Sequence, residues 1–213
     1  MRPLLQIALD TTSMEDALTM LAGGVGDAVD IIEAGTLLLA AEGHRCIKLL
    51  RALYPEKIIV ADLKMADAGR VLAPMMLDAG ADYLSVICAA DAITMSLANE
   101  EACKRDKETQ VELYGPWTWE RAQGWRDLGM PQIIYHHSRD GNQPWGEEDL
   151  EKIRRLCAMG YKVTITGGLA PEHMAMFAGL PIFAVIAGRA LSGSKDPVGV
   201  IHAFQQAFEQ YWK

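Results

Sequence analysis

The sequence predicts an α/β chain that closes into a single (β/α)₈, or TIM, barrel spanning residues 1–213. Three observations predict it. Short apolar runs of β-branched and aliphatic residues recur about 20 to 30 residues apart, the repeat of strand, turn, helix, turn. Most of these runs lack polar alternation, as strands covered on both faces do. Stretches with helical spacing separate them, and 213 residues leave little for a second domain. An open doubly wound sheet is the alternative, but it rarely needs eight evenly spaced strands.

The strands are expected at Leu4–Leu9, Asp30–Glu33, Lys57–Asp62, Tyr83–Cys88, Gln110–Tyr114, Gln132–His136, Lys162–Thr166 and Phe183–Ala187. Helical patterns lie at Met14–Leu21, Glu42–Leu53, Asp67–Ala79, Asp91–Cys103, Trp119–Leu128, Glu147–Met159, Pro171–Phe177 and Pro197–Tyr211. Gly80, Gly129 and Gly160 stand where helices stop, and Pro171 and Pro197 where a missing N–H is harmless. Ser138–Pro144 is the longest irregular piece, and it follows the sixth strand.

Composition bounds the function. Hydrophobic residues make up 50% and charged residues 23%, which excludes disorder and fibre. A formal charge of -8 without a basic run disfavours nucleic acid and anionic membranes, so any bound anion needs a local device. The four cysteines form no zinc-type spacing and read as reduced thiols. No signal-peptide core or membrane-length apolar run is found, so the expected location is the cytoplasm.

In such a barrel chemistry gathers at the C-terminal ends of the strands. Asp10 follows the first strand, Glu33 ends the second, and Asp62 ends the third with Lys64 and Asp67 just beyond. Glu112 lies on the fifth, and His136 closes the sixth with Arg139 nearby. Thr166-Gly167-Gly168 ends the seventh and Gly188-Arg189 the eighth; the fourth ends in Ile87-Cys88-Ala89-Ala90 and offers nothing charged. A single strand-end charge is ordinarily a solvated loop group, yet so many facing one mouth would repel or desolvate one another without a ligand.

Thr166, Gly168, Gly188 and Arg189 fit the phosphate site that barrels build behind the last two strands. Glu33 and Asp62 end neighbouring strands and can share a hard cation such as Mg²⁺; alternatively Lys64, on the same side of its strand, neutralises Asp62. His136 can donate or accept a proton near neutral pH, whereas His137 points toward the helix layer and reads as structural. His44, His173 and His202 lie in helical patterns and read as surface or boundary residues. Trp117, Trp119, Trp125 and Trp145 read as rim and core packing. Asp67 belongs to the first turn of the next helix and is hard to place in this site.

Asp62-Leu63-Lys64-Met65-Ala66-Asp67 is a D-x-K-x-x-D motif that resembles the signature of the orotidine 5'-phosphate decarboxylase suprafamily. Ile7–Asp10, Asp30–Thr36, Trp117–Glu120, Tyr135–Asp140 and Thr164–Leu169 extend the resemblance, within that suprafamily, to the 3-keto-L-gulonate 6-phosphate decarboxylases. Glu33, where the metal-free orotidine branch carries lysine, places the likeness in the Mg²⁺-dependent branch. The resemblance implies Mg²⁺ on Glu33 and Asp62, and Lys64 hydrogen-bonded to a developing enediolate. It implies a homodimer with shared active sites, Asp67 reaching into the partner's site. It further implies Asp10 and Glu112 on substrate hydroxyls, His136 and Arg139 delivering a proton through ordered water, and Gly168, Gly188 and Arg189 on the phosphate. The expected reaction is decarboxylation of 3-keto-L-gulonate 6-phosphate to L-xylulose 5-phosphate in L-ascorbate use. Alternatives are the sister 3-hexulose-6-phosphate synthase, disfavoured by Arg139, a metal-dependent ribulose-phosphate epimerase, and a non-catalytic phosphosugar-binding barrel. Leu63 and the short segment after Asp140 depart from the family pattern.

Overall fold

The computed structural model describes residues 2–138 and 144–213. Eight parallel strands pair in chain order and close into a (β/α)₈ TIM barrel. They are β1 Leu4–Leu9, β2 Ile31–Ala34, β3 Ile58–Met65, β4 Tyr83–Ile87, β5 Glu108–Leu113, β6 Gln132–His136, β7 Lys162–Thr166 and β8 Ala184–Ala187. Around them run α1 Met14–Leu21, α2 Val25–Ala28, α3 Thr36–Glu42, α4 Arg45–Leu53, α5 Gly69–Leu77, α6 Ala92–Cys103, α7 Trp119–Asp127, α8 Glu147–Ala158, α9 Arg189–Ser192 and α10 Pro197–Tyr211. Pro171–Phe177 is a 3₁₀ helix.

Local signals set these boundaries. Ser13 caps α1 by accepting the Asp16 amide at 3.1 Å, and Asp196 caps α10 through the Gly199 amide at 2.9 Å, with Pro197 opening that helix. Gly80, Gly129 and Gly160 take left-handed φ of 115°, 80° and 87° after α5, α7 and α8, a conformation that strains any residue with a Cβ. Outside the barrel Phe177, Phe204 and Phe208 are fully buried, each contributing about 1.5 to 3 kcal/mol. Inside it, the two-residue period turns Gln6, Ser85, Gln110, Gln132 and Thr164 inward, all fully buried.

Four expectations change. The helix expected over 42–53 begins only at Arg45, because Gly43 at φ 63° ends a further, unexpected helix, α3, over Thr36–Glu42. The short helices α2 and α9 carry too few residues for a period to show in the sequence. The third strand does not end at Asp62: β3 continues to Met65 through an irregularity in its pairing with β4. Asp67 is not in the first turn of a helix either, since α5 begins at Gly69 after Ala68 in left-handed conformation.

Candidate functional site

A cavity of about 750 Å³ opens at the C-terminal end of the barrel. Its wall includes Asp10, Glu33, Asp62, Lys64, Glu112, His136, Thr166, Gly168, Gly188 and Arg189. Ten expected site residues therefore meet in one space. Asp67 is exposed, accepts the Ala68 amide at 2.7 Å and is not on this wall. Arg139 and Asp140 lie outside the described residues.

Lys64 is the hub. Its ammonium pairs with the Asp62 carboxylate, stands 3.2 Å from Glu112 Oε2, and donates to Thr36 Oγ1 at 2.9 Å. Burial works against its charge, but Asp62, Glu112 and Glu33 outweigh it and hold the ammonium's pKa above the usual lysine value. Asp62 is 5% exposed, and burial alone would raise its pKa. Lys64, with hydrogen bonds from Thr36 at 2.7 Å and Ser85 at 2.8 Å, reverses the sign and keeps it below the ordinary value. Strand alternation predicted that Asp62 and Lys64 share a side. They meet, although Lys64 breaks the alternation with a left-handed φ of 46°.

Glu33 has the opposite balance. Burial and the Asp62 charge push its carboxyl well above the ordinary range, and the Gln6 amide donates to Oε2 at 2.5 Å. Glu33 pairs with Val60 in the β2/β3 ladder, so Asp62 stands two residues further along the neighbouring strand. The charge of Asp62 raises the cost of ionising its buried neighbour Glu33, and a divalent cation relieves that cost. Among the described residues no group of three or more His, Cys, Asp or Glu converges as a metal cage. The fit is therefore to a cation that takes two carboxylates and completes its shell with substrate oxygens and water, the habit of Mg²⁺.

Glu112 is 2% exposed and bridges Lys64 to His136, whose Nδ1 lies 2.6 Å from Oε1. Burial raises the Glu112 pKa. With Glu112 ionised, Nδ1 carries the proton and Nε2 is the nitrogen left for a ligand. Tyr114 sets the ring's orientation with an edge contact at 4.8 Å. His137 faces α8 as expected: Nε2 lies 2.9 Å from Asp149 Oδ1, and the ring stacks on Trp145 at 3.9 Å.

On the opposite wall Gly167 and Gly168 have φ of 116° and 66°. A Cβ on Gly167 would strike the His137 carbonyl, and Trp145 Nε1 donates to the Gly167 carbonyl at 2.9 Å. Trp145 thus braces this loop, while Trp117 and Trp119 pack edge to face and Trp125 is buried. Arg189 is exposed at the start of α9 beside Gly188. Across the mouth, a Cβ on Gly35 would collide with the Asp10 carboxylate, so glycine there gives Asp10 its place.

Sequence reasoning missed Gln6, Thr36, Ser85 and Tyr114. Gln6 precedes Ala8 and Asp10 at the two-residue period, and Ser85 is a polar residue within an apolar strand; both signals were readable. Thr36 closes the Asp30–Thr36 segment of the resemblance, but its role depends on α3 crossing the end of β3, which no local pattern shows.

A model of the orotidine 5'-phosphate decarboxylase / HUMPS family matches residues 3–204. The chain is 46% identical over 99% of its length, and 98% of the relative's, to 3-keto-L-gulonate-6-phosphate decarboxylase UlaD of Salmonella paratyphi B. Among solved structures it superposes on KGPDC from Streptococcus mutans at TM-score 0.95, with 43% identity and 99% of each chain covered. It also resembles 3-hexulose-6-phosphate synthase from Salmonella typhimurium at TM-score 0.90, with 29% identity over 98% of this chain and 99% of that one. The barrel, the D-x-K-x-x-D motif at its mouth and these matches lead to one assignment: the chain belongs to the orotidine 5'-phosphate decarboxylase / HUMPS family.

Proposed function

We propose that the protein catalyses Mg²⁺-dependent decarboxylation of 3-keto-L-gulonate 6-phosphate to L-xylulose 5-phosphate and CO₂, a step in L-ascorbate use. The observation that carries this reading is the Lys64 ammonium held between Asp62 and Glu112 in the cavity that also holds Glu33 and the Thr166 to Gly168 loop. Identity to decarboxylases of 46% and 43%, against 29% for the synthase, supports this branch over its sister.

The substrate is a β-keto acid. When the bond to its carboxylate breaks, the electron pair passes into an enediolate and CO₂ leaves. Lys64 donates a hydrogen bond to the oxygen on which charge grows, an interaction stronger in the transition state than in the ground state. Bound to Glu33 and Asp62, Mg²⁺ would supply Lewis-acid stabilisation of that charge. Asp10 and Glu112 accept hydrogen bonds from substrate hydroxyls. Thr166, Gly168, Gly188 and Arg189 hold the phosphate and fix the reacting carbon's position. His136, its Nδ1–H held by Glu112, takes part as the imidazolium: the second proton, on Nε2, passes through water to that carbon together with Arg139 and leaves the neutral ring.

The proposed assembly is a homodimer in which Asp67 completes the partner's site. Its support is the exposure of Asp67 away from its own cavity, and the nearby apolar surface of Val71 on α5 and Ile93 on α6, 68% and 65% exposed. No helix among the described residues is long and apolar enough to cross a membrane, and the proposed location is the cytoplasm. The test offers purified protein and Mg²⁺ either 3-keto-L-gulonate 6-phosphate or ribulose 5-phosphate with formaldehyde, each with and without EDTA. Dominant CO₂ release, lost on chelation, is expected. Dominant aldol addition would transfer the assignment to the synthase, and turnover in metal-stripped protein would remove Mg²⁺ from the mechanism.

A further inference from the structure

β4 has no charged residue at its end, yet it supplies a fully buried hydroxyl at Ser85. The β3/β4 ladder runs through Val60 with Tyr83 and Ala61 with Leu84, and resumes only at Met65 with Val86. Asp62, Leu63 and Lys64 therefore face Ser85 alone. A bulge of this kind leaves backbone amides without ladder partners, and Lys64 sits in it at a left-handed φ of 46°. The Lys64 N–H donates to Ser85 Oγ at 2.8 Å, and Ser85 gives its own proton to Asp62 Oδ1 at 2.8 Å. Asp62 Oδ2 then receives the Lys64 ammonium. Backbone of Lys64, Ser85, carboxylate of Asp62 and side chain of Lys64 form a closed circuit.

We propose that Ser85 is a positioning residue: by tying the Lys64 backbone to the Asp62 carboxylate it fixes where the Lys64 ammonium stands. Ser85 is not on the cavity wall, so it acts through Lys64 and not on the ligand. One hydroxyl can fill both roles because it donates once and accepts through its lone pairs. Alanine removes both links, whereas threonine keeps them.

The kinetic part rests on the proposed decarboxylase; the structural part does not. In the full chain, Ser85→Ala is expected to lower kcat for 3-keto-L-gulonate 6-phosphate about 10- to 100-fold with KM within about twofold, because the phosphate cradle on β7 and β8 is untouched. Hydrogen exchange at the Lys64 amide should accelerate at least ~10-fold, and Ser85→Thr should restore both readings. A folded Ser85→Ala protein with unchanged kcat, or with unchanged exchange at Lys64, overturns the proposal. If Ser85→Ala does not fold, the wild type decides: a protected Lys64 amide supports the circuit, and one exchanging like a loop amide refutes it. Wild type without turnover of this substrate would defeat the functional reading and leave exchange to judge Ser85.

Discussion

Replacing Glu33 with glutamine should stabilise the metal-free protein while removing its response to Mg²⁺. Glu33 is 6% exposed, faces the charge of Asp62, and accepts the Gln6 amide as compensation. Its folded-state pKa is raised, so the folded protein binds this proton more tightly than the unfolded chain does. That contribution to stability is complete below the unfolded carboxyl pKa, about 4.3, and is lost as pH rises through the higher folded value. Glutamine keeps the shape and the Gln6 contact without the charge. The two proteins should thus be close in stability at pH 4 and diverge toward pH 8. Each pKa unit by which burial and a like charge raise a carboxyl corresponds to about 1.4 kcal/mol, so for a group held well above its ordinary range the gain should be at least about 1 kcal/mol. For a chain of this length about 2 to 4 °C accompanies each kcal/mol, so Tm in EDTA at pH 8 should rise by at least ~2 °C. Wild type should recover with Mg²⁺, by about 2.7 kcal/mol at one hundred times Kd, and Glu33→Gln should not. Scanning calorimetry at both pH values, with EDTA or Mg²⁺, reads all of these quantities. A variant less stable than wild type in EDTA at pH 8, or one that keeps the full Mg²⁺ shift, would refute the reasoning.

Arg189→Ala should weaken substrate binding by about 1.5 to 3 kcal/mol, the range for a hydrogen bond to a charged group; an unchanged KM for the phosphorylated substrate would count against the phosphate site. His136→Ala should reduce turnover by ~10² to 10⁴ while the Mg²⁺ stability shift survives, and loss of that shift would make His136 a ligand instead. Lys64→Ala and Asp67→Ala chains, each inactive alone, should regain activity when mixed and exchanged, toward about a quarter of wild type if half the dimers are mixed. No recovery after demonstrated subunit exchange would return Asp67 to its own chain.

The barrel was legible because both strand faces are covered: apolar runs such as Leu4–Leu9 and Phe183–Ala187 stand out, and β1 and β8 lie within those residues. Glycine and proline fixed several helix ends for the same local reason. What local pattern could not reveal was the bulge in β3, which arises from tertiary pairing with β4 and shifts the start of α5 beyond Asp67. The ionisable residues on the cavity wall, which the expected Asp67 does not join, were legible from register, since a closed barrel brings all strand ends to one mouth. Their connections were not: Ser85 reaches Asp62 across 23 positions and Thr36 reaches it across 26, separations that no periodicity encodes.

Apart from Lys64, which sits among the carboxylates, the cavity wall is divided by sign. Carboxylates come from β1, β2, β3 and β5, whereas the glycine loops and Arg189 come from β7, β8 and α9. The mouth therefore has a direction, and a ligand with a phosphate at one end has a single favourable heading; reversed, its dianion would meet Glu33, Asp62 and Glu112. Anchoring and chemistry are consequently separable parts of the same rim. Under the proposed function, substitutions on β5 and β6 would change what happens to a bound phosphosugar while its handle stays gripped, giving this half of the mouth room to diverge in reaction without losing its class of substrate.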